Sequence, residues 1–241
     1  CNLFGATNRW FGKYVVILNE KSKIWLFDYD LTLYGEEERH VLDSLDHRIS
    51  LFVKNTVGVS LEKASEIRKQ YWADYGTTLA GLHAEYQVDP NDFFDFIHLN
   101  EGLVFPKKAP QKRILLESIK GKKYVFTNAR RDWSDAGLSS MDIADCFDGI
   151  VDLKSLDWQG KPSVYAYDKM ESFIQKAGLK NTDDSRAQII LLEDSIPNLR
   201  AAHERGWTTI LVHPTQQKPD WVDFHLDHLL SLEFLLEDTH V

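Results

Sequence analysis

Ile24-Trp25-Leu26-Phe27-Asp28-Tyr29-Asp30-Leu31-Thr32-Leu33-Tyr34 is the stretch on which the fold turns. Four apolar residues in a row, bounded by charge, read as a strand buried on both faces of a parallel sheet, and two aspartates stand where that strand should end. The carboxyl ends of such strands form the ligand crevice of an open α/β sheet. An aspartate there is placed to act as a nucleophile towards phosphorus, and a second one two residues on as acid and base, once a cation offsets their mutual repulsion. The pair therefore calls for a cation site further along the chain.

Beyond Tyr34 and the acidic run Glu36-Glu37-Glu38, read as a solvated face, the pattern changes to helix. Leu42, Leu45, Ile49, Phe52 and Val53 recur at spacings of three and four, with Gly58 just past the end, so about 40–56 is one amphipathic helix. A second runs from Ser60 to Tyr75, where Gly76 interrupts it; a third covers Thr77 to Tyr86; Asp89-Pro90 caps a fourth. This helical stretch is too long for an ordinary crossover and reads as an inserted all-helical cap.

From Lys107 strand and helix alternate. Strands are expected at Lys123–Thr127, Gly149–Val151, Gln188–Leu192 and Thr208–Val212, with helices at 110–120, from Asp132, at 163–177 and at 196–205. A short strand Phe224-His225-Leu226 and an apolar helix Leu229–Leu236 close the chain. The expected architecture is α/β: a doubly wound, parallel, Rossmann-like core of residues 21–35 plus 107–241, a cap at 36–106, and an extension over 1–20 without functional weight, in which Tyr14-Val15-Val16-Ile17-Leu18 suits an extra strand.

Composition narrows the partners. In 241 residues, 43% hydrophobic content with seven Trp and thirteen Phe is ample for a packed core, and a net charge of −9 argues against a nucleic-acid polymer or an anionic membrane surface. No apolar run approaches the roughly 20 residues that span a bilayer. Cys1 and Cys146 make no disulfide framework, which suits a reduced, cytoplasmic setting.

Every strand of the expected sheet that matters delivers polar groups at its carboxyl end: Asp28 and Asp30, then Thr127-Asn128, then Glu193-Asp194, with Lys161 in Gln159-Gly160-Lys161-Pro162 as the cation between the last two. Each alone reads as a cap or a turn; in this order they resemble the four motifs of the haloacid dehalogenase (HAD) superfamily. The helical insert is similar to a C1 cap of subfamily I. Tyr71-Trp72-Ala73-Asp74-Tyr75-Gly76-Thr77-Thr78-Leu79-Ala80-Gly81-Leu82 and Phe126-Thr127-Asn128-Ala129 resemble the pyrimidine 5′-nucleotidase-like branch.

The resemblance implies a phosphoric monoester hydrolase. Asp28 would attack phosphorus and become an aspartyl-phosphate, Asp30 would move protons, and Thr127 with Asn128 would bind the phosphoryl group. Lys161 would offset its charge. Mg²⁺ would be held by Asp28, the main-chain carbonyl of Asp30 and Asp194, with Glu193 directly or through water; Glu193 stands where many relatives carry aspartate. Asp30 favours phosphoryl transfer over halide cleavage, because the dehalogenases generally lack this second aspartate.

The expected substrate is a small phosphorylated metabolite, a nucleoside 5′-monophosphate with pyrimidines favoured. A phosphatase or mutase for another small phosphate, such as a phosphosugar or phosphoglycolate, is the alternative, and a non-catalytic HAD-fold binding protein is the alternative of another class. Tyr75, Thr77 and Thr78, at the helix break, are the cap's candidates for specificity. Tyr71, Trp72, Tyr75 and Phe93-Phe94-Phe96 suit either core or a stacking platform. Arg130-Arg131 suits a solvated helix start or a phosphate contact.

Overall fold

The computed structural model describes residues 18–98, 103–178 and 188–236. Of the expected N-terminal strand only Leu18 lies among them, and it is buried. The strands are β1 (Ile24–Phe27), β2 (Lys122–Phe126), β3 (Gly149–Val151), β4 (Ile189–Glu193), β5 (Thr208–Val212) and β6 (Phe224–Leu226). They form one parallel sheet in the order β3-β2-β1-β4-β5-β6. The chain builds outward from β1 to β3, then crosses back to β4 on the other side of β1. The order therefore reverses between β1 and β4, which opens a crevice beyond their carboxyl ends.

Register sets what meets there. Phe27 lies opposite Leu192 on one side and Val125 on the other, so Asp28 leaves the sheet level with Glu193 and with Phe126, the residue before Thr127. Alternation along each strand divides the apolar residues between two clusters. Trp25, Phe27, Ile190 and Leu192 belong to one, Ile24, Leu26, Ile189 and Leu191 to the other. Both faces of the sheet are covered, which is why these strands read as unbroken apolar runs.

Between β1 and β2 come a 3-10 turn (Glu36–Glu38) and the helices α1 (His40–Val57), α2 (Leu61–Tyr75), α3 (Thr78–Tyr86), α4 (Pro90–Ile97) and α5 (Pro110–Ser118). Local chemistry sets their limits. The side chains of Ser60, Thr77 and Asp89 accept hydrogen bonds from Lys63, Ala80 and Asn91 amides, and α1 and α2 stop where Gly58 and Gly76 take φ of 78° and 82°. The acidic turn is more than a solvated face: Glu38 Oε1 accepts from the Lys107 amide at 2.9 Å, tying the entry of the helical stretch to its exit. Leu45, Val53, Phe93 and Ile97 from these helices share the cluster that covers one side of the sheet.

The remaining helices are α6 (Arg131–Met141), α7 (Val164–Lys176), α8 (Ile196–His203) and α9 (Glu233–Leu236). The last apolar run departs from the expected helix: Leu229–Leu232 is a 3-10 turn and only Glu233–Leu236 is α. A 3-10 turn eclipses residues three apart, which places Leu229 and Leu232 together in the core, where both are buried. Among the described residues no helix is long and apolar enough to cross a membrane.

Candidate active site

The floor of the crevice is built around Lys161. Its ammonium donates to Asp28 Oδ1 at 2.8 Å and to Glu193 Oε2 at 2.6 Å, and it stands 5.1 Å from the centre of the Phe126 ring. Lys161 is only 2% exposed, so the charge is held away from bulk solvent. The loop that delivers it is clamped: Asn128 Nδ2 donates to the Lys161 carbonyl at 2.8 Å, and the Lys161 amide donates to Asn128 Oδ1 at 2.7 Å. A Cβ on Gly160 would lie 2.4 Å from Asn128 Oδ1, so that close approach requires glycine. The Asn128 side chain is thereby spent on aiming Lys161.

Asp194 lies beside this pair, and Asp28, Glu193 and Asp194 each offer an oxygen within 4.8 Å of the others'. Burial, and then the Glu193 carboxylate, push the Asp28 carboxyl well up in spite of Lys161. Asp194 is pushed well up by burial, with Glu193 and Asp28 adding to it. Burial lowers the Lys161 ammonium, but Asp28 and Glu193 more than reverse this and hold it above its ordinary value. The lysine keeps its proton while a carboxyl it touches also favours one, because a single ammonium faces three carboxylates and negative charge is left over. An all-oxygen set with surplus negative charge fits a hard divalent cation such as Mg²⁺.

Asp30 is not among these three carboxylates. Its Oδ1 accepts from the Tyr34 hydroxyl at 2.5 Å and from Trp133 Nε1 at 3.0 Å. Burial pushes its carboxyl up, and these two donors pull it back. Burial, and then Asp30 itself, hold the Tyr34 phenol well above its usual range, so Tyr34 remains the donor. Thr127, 1% exposed, accepts from the Ala129 amide at 3.0 Å and so keeps its hydroxyl proton free to give.

Asp28, Asp30, Asn128, Lys161, Glu193 and Asp194 all line one cleft of about 780 Å³, and the helical insertion supplies its other wall. That wall is largely apolar, with Leu42, Leu45, Ile49, Leu79, Phe93 and Ile97. Thr77 and Thr78 line it too, although Thr77 caps α3 and Thr78 donates to the Arg68 carbonyl at 3.2 Å. Tyr75 does not line the cleft; its hydroxyl donates to Glu85 at 2.6 Å on the outer surface. Phe93 and Phe94 are buried in the core with an edge on the cleft wall, whereas Trp72, which also lines the cleft, is 59% exposed. Tyr34, Trp133 and Trp72 are the site residues that motif reading passed over or left undecided.

No family model matches the chain. It is similar to phosphate metabolism protein 8 of Saccharomyces cerevisiae, 27% identical over 201 residues that take in 76% of this chain; the chain spans 59% of that curated relative's length. Among solved structures it resembles a HAD phosphatase from Thermococcus onnurineus, with a TM-score of 0.58 at 18% identity over 91% of this chain and 100% of that one. It also resembles a HAD-hydrolase from Bacillus subtilis bound to magnesium, with a TM-score of 0.56 at 12% identity over 90% and 99%. An L-2-haloacid dehalogenase from Xanthobacter autotrophicus matches at 0.51 and 14% identity over 90% and 99%. The fold is the Rossmann-like α/β fold of the HAD enzymes.

Proposed function

We propose that the protein is a Mg²⁺-dependent phosphomonoester hydrolase that works through an aspartyl-phosphate and acts on nucleoside 5′-monophosphates, pyrimidines favoured. The observation that carries this reading is the buried Lys161 bridging Asp28 and Glu193, with Asp194 beside them and Asp30 held apart on its own donors. A fixed ammonium at the nucleophile offsets the charge of an incoming phosphoryl group. Asp28 forms the bond to phosphorus, Asp30 protonates the leaving oxygen and then takes a proton from the attacking water, and Thr127 offers its hydroxyl to a phosphoryl oxygen. Asp28, Asp194 and the Asp30 carbonyl, with Glu193 directly or through water, would hold Mg²⁺, which when bound neutralises the surplus carboxylate charge and that of the phosphoryl group. The yeast relative's name refers to phosphate metabolism, and the Bacillus neighbour holds magnesium, both in keeping with this chemistry.

In this reading the helical insertion over about 36–106 is a cap that chooses the leaving group. Arg68, Lys69, Trp72, Ala73 and Gly76 put one face of α2 into the cleft, and the half-exposed Trp72 makes no ring contact among the described residues. A flat, aromatic leaving group would cover that indole, and a phosphosugar brings no such face; the sugar hydroxyls of either would meet polar side chains of the same wall, Arg68, Lys69, Thr77 and Thr78 among them. Phosphate release with Mg²⁺ across UMP, CMP, AMP and glucose 6-phosphate tests the substrate. Asp28→Asn should abolish turnover of every substrate. Trp72→Ala should raise KM for UMP about tenfold, since stacking on a base contributes about 1–3 kcal/mol. Persistent activity in Asp28→Asn would overturn the mechanism, and an unchanged KM the substrate class.

A further inference from the structure

Asp30 lines the cleft and is held there by two side chains. Two donors from distant parts of the chain converge on one of its oxygens, the Tyr34 hydroxyl at 2.5 Å and Trp133 Nε1 at 3.0 Å, both on Oδ1. An indole N–H only donates, so Trp133 keeps Oδ1 an acceptor in either protonation state of Asp30, and the Tyr34 hydroxyl then donates to the same oxygen. Oδ2 takes no hydrogen bond among the described residues, and Asp30 lines the cleft.

Both donor rings are themselves fixed. Trp133 is 1% exposed and lies between Phe105, at 5.2 Å between ring centres, and His98, stacked at 5.8 Å. His98 is bonded to Asp132 at 2.9 Å. Tyr34 is fully buried and edge-on to Tyr29 at 5.3 Å. Tyr29 in turn runs up against Gly137, where a Cβ would come within 1.5 Å of its hydroxyl. Trp133 and Gly137 are four residues apart on α6, on one face of the helix, so a single surface of α6 sets both rings.

We infer that Tyr34 and Trp133 are positioning residues that fix Oδ1 of Asp30 and so dedicate Oδ2 to proton transfer with the substrate. This rests on the phosphohydrolase reading above. In the first half-reaction an Asp28 oxygen bonds to phosphorus as the ester P–O bond breaks; the electron pair leaves with the ester oxygen, which takes the proton from Oδ2. In the second, water's oxygen bonds to phosphorus and its proton passes to Oδ2; the aspartyl O–P bond breaks with its electron pair returning to Asp28. One oxygen performs both transfers because the other is occupied throughout. A carboxyl released to rotate would present a protonated oxygen to the leaving group only part of the time, and small misplacements of this kind cost orders of magnitude in rate.

The consequence depends on the leaving group. An alkoxide needs the proton, whereas p-nitrophenolate departs without one. The variants Trp133→Phe and Tyr34→Phe keep the rings and remove only the donors. The quantity to compare is kcat/KM, which reports every step through departure of the leaving group, for UMP against p-nitrophenyl phosphate at saturating Mg²⁺. Each variant is expected to lose about ten- to a hundredfold on UMP, within the range of general-acid effects, and less than about threefold on p-nitrophenyl phosphate. Equal losses on the two esters mean a general disturbance of the site and overturn the inference; so does no loss on either. The two variants are independent, so if one fails to fold by circular dichroism the other carries the test. Wild-type enzyme that hydrolyses neither ester overturns the phosphohydrolase reading itself, a result distinct from equal losses in an active enzyme.

Discussion

Replacing Lys161 by methionine keeps most of the side-chain stem against Phe126 and removes only the charge. In the native fold that ammonium is 2.8 Å from Asp28 and 2.6 Å from Glu193, with the lysine and glutamate side chains each 1% exposed. Removing one partner of a buried pair leaves an uncompensated buried charge, at a cost of about 3–5 kcal/mol. Here two carboxylates lose their partner, and Asp194 stands close to both. Part of the cost is relieved because the carboxyls take up protons, which keeps the loss near that range. For a chain of this size each kcal/mol corresponds to about 2–4 °C in Tm, so Lys161→Met should melt about 6–20 °C below the wild type in EDTA.

Thermal scans with and without Mg²⁺ then separate two explanations of the loss. If the missing charge is responsible, a divalent cation bound at the same carboxylates restores part of it, and the Mg²⁺-induced rise in Tm is larger in Lys161→Met than in the wild type. If loosened packing is responsible, Mg²⁺ raises both proteins equally. On the proposed mechanism, activity should fall about a hundredfold or more even in saturating Mg²⁺, since a metal on the carboxylates would not replace the ammonium beside Asp28 that offsets the charge of an incoming phosphoryl group. A variant that melts within about 2 °C of the wild type in EDTA and turns over at a similar rate would refute the role of the Lys161 ammonium as the charge that holds the site together.

Other consequences follow from the same geometry. Asp194→Asn should shrink the Mg²⁺-induced rise in Tm and weaken activation by Mg²⁺, read from titrations of both; an unchanged titration would remove Asp194 from the metal site. In the metal-free protein, Asp28 and Asp194 are raised by burial and by their neighbours, so the folded state holds protons that the unfolded chain has lost above about the ordinary value of 3.8. Stability in EDTA should therefore fall as pH rises from there through neutrality, and Mg²⁺ should flatten that fall; urea titrations at pH 5 and pH 8 test the sign. Gly137→Ala would place a methyl 1.5 Å from the Tyr29 hydroxyl inside the core and should cost about 1–3 kcal/mol by overpacking, seen as a lower urea midpoint.

What could be read in the residues, and what could not, has a physical pattern. β1 and β4 are buried on both faces and so announce themselves as Ile24–Phe27 and Ile189–Leu192 without any partner information. Their carboxyl ends carry polar residues because the sheet order reverses between them, so Asp28, Glu193 and Asp194 were legible as a group. Trp133 was not: it meets Asp30 across 103 residues of chain, and on α6 it looks like one more buried position beside Leu138 and Met141. The role of Asn128 was hidden likewise, since its partners are main-chain atoms of Lys161, and main chain leaves no signature in sequence. Tyr75 and Trp72 sit three residues apart near the end of one helix, and periodicity could not tell which would turn to the cleft. The structure sends Trp72 to the cleft and Tyr75 to Glu85.

Arg130 separates a role in binding phosphate from a role in holding the helical insertion to the core. Its guanidinium reaches Asp95 on α4 at 2.7 Å and Asp132 on α6 at 2.9 and 2.7 Å, and lies 5.4 Å from the centre of the Phe94 ring. The guanidinium is thus spent on protein partners, and Arg131 on Asp135 at 3.1 Å. The same junction holds His98 against Asp132 and Phe94 against Trp158 at 5.6 Å, so α4 is fastened to the core beside Trp133. Asp95 and Asp132 are 71% and 46% exposed on their side chains, and ion pairs of that kind contribute little, about 0–1 kcal/mol each. Arg130→Ala should therefore lower Tm by only a few degrees. Its larger effect should be on turnover of UMP, through a looser seat for α4, His98 and Trp133, with a smaller effect on p-nitrophenyl phosphate. A phosphate-binding Arg130 would instead raise KM for both substrates and for competing inorganic phosphate alike, and that result would return the residue to the substrate side of the cleft.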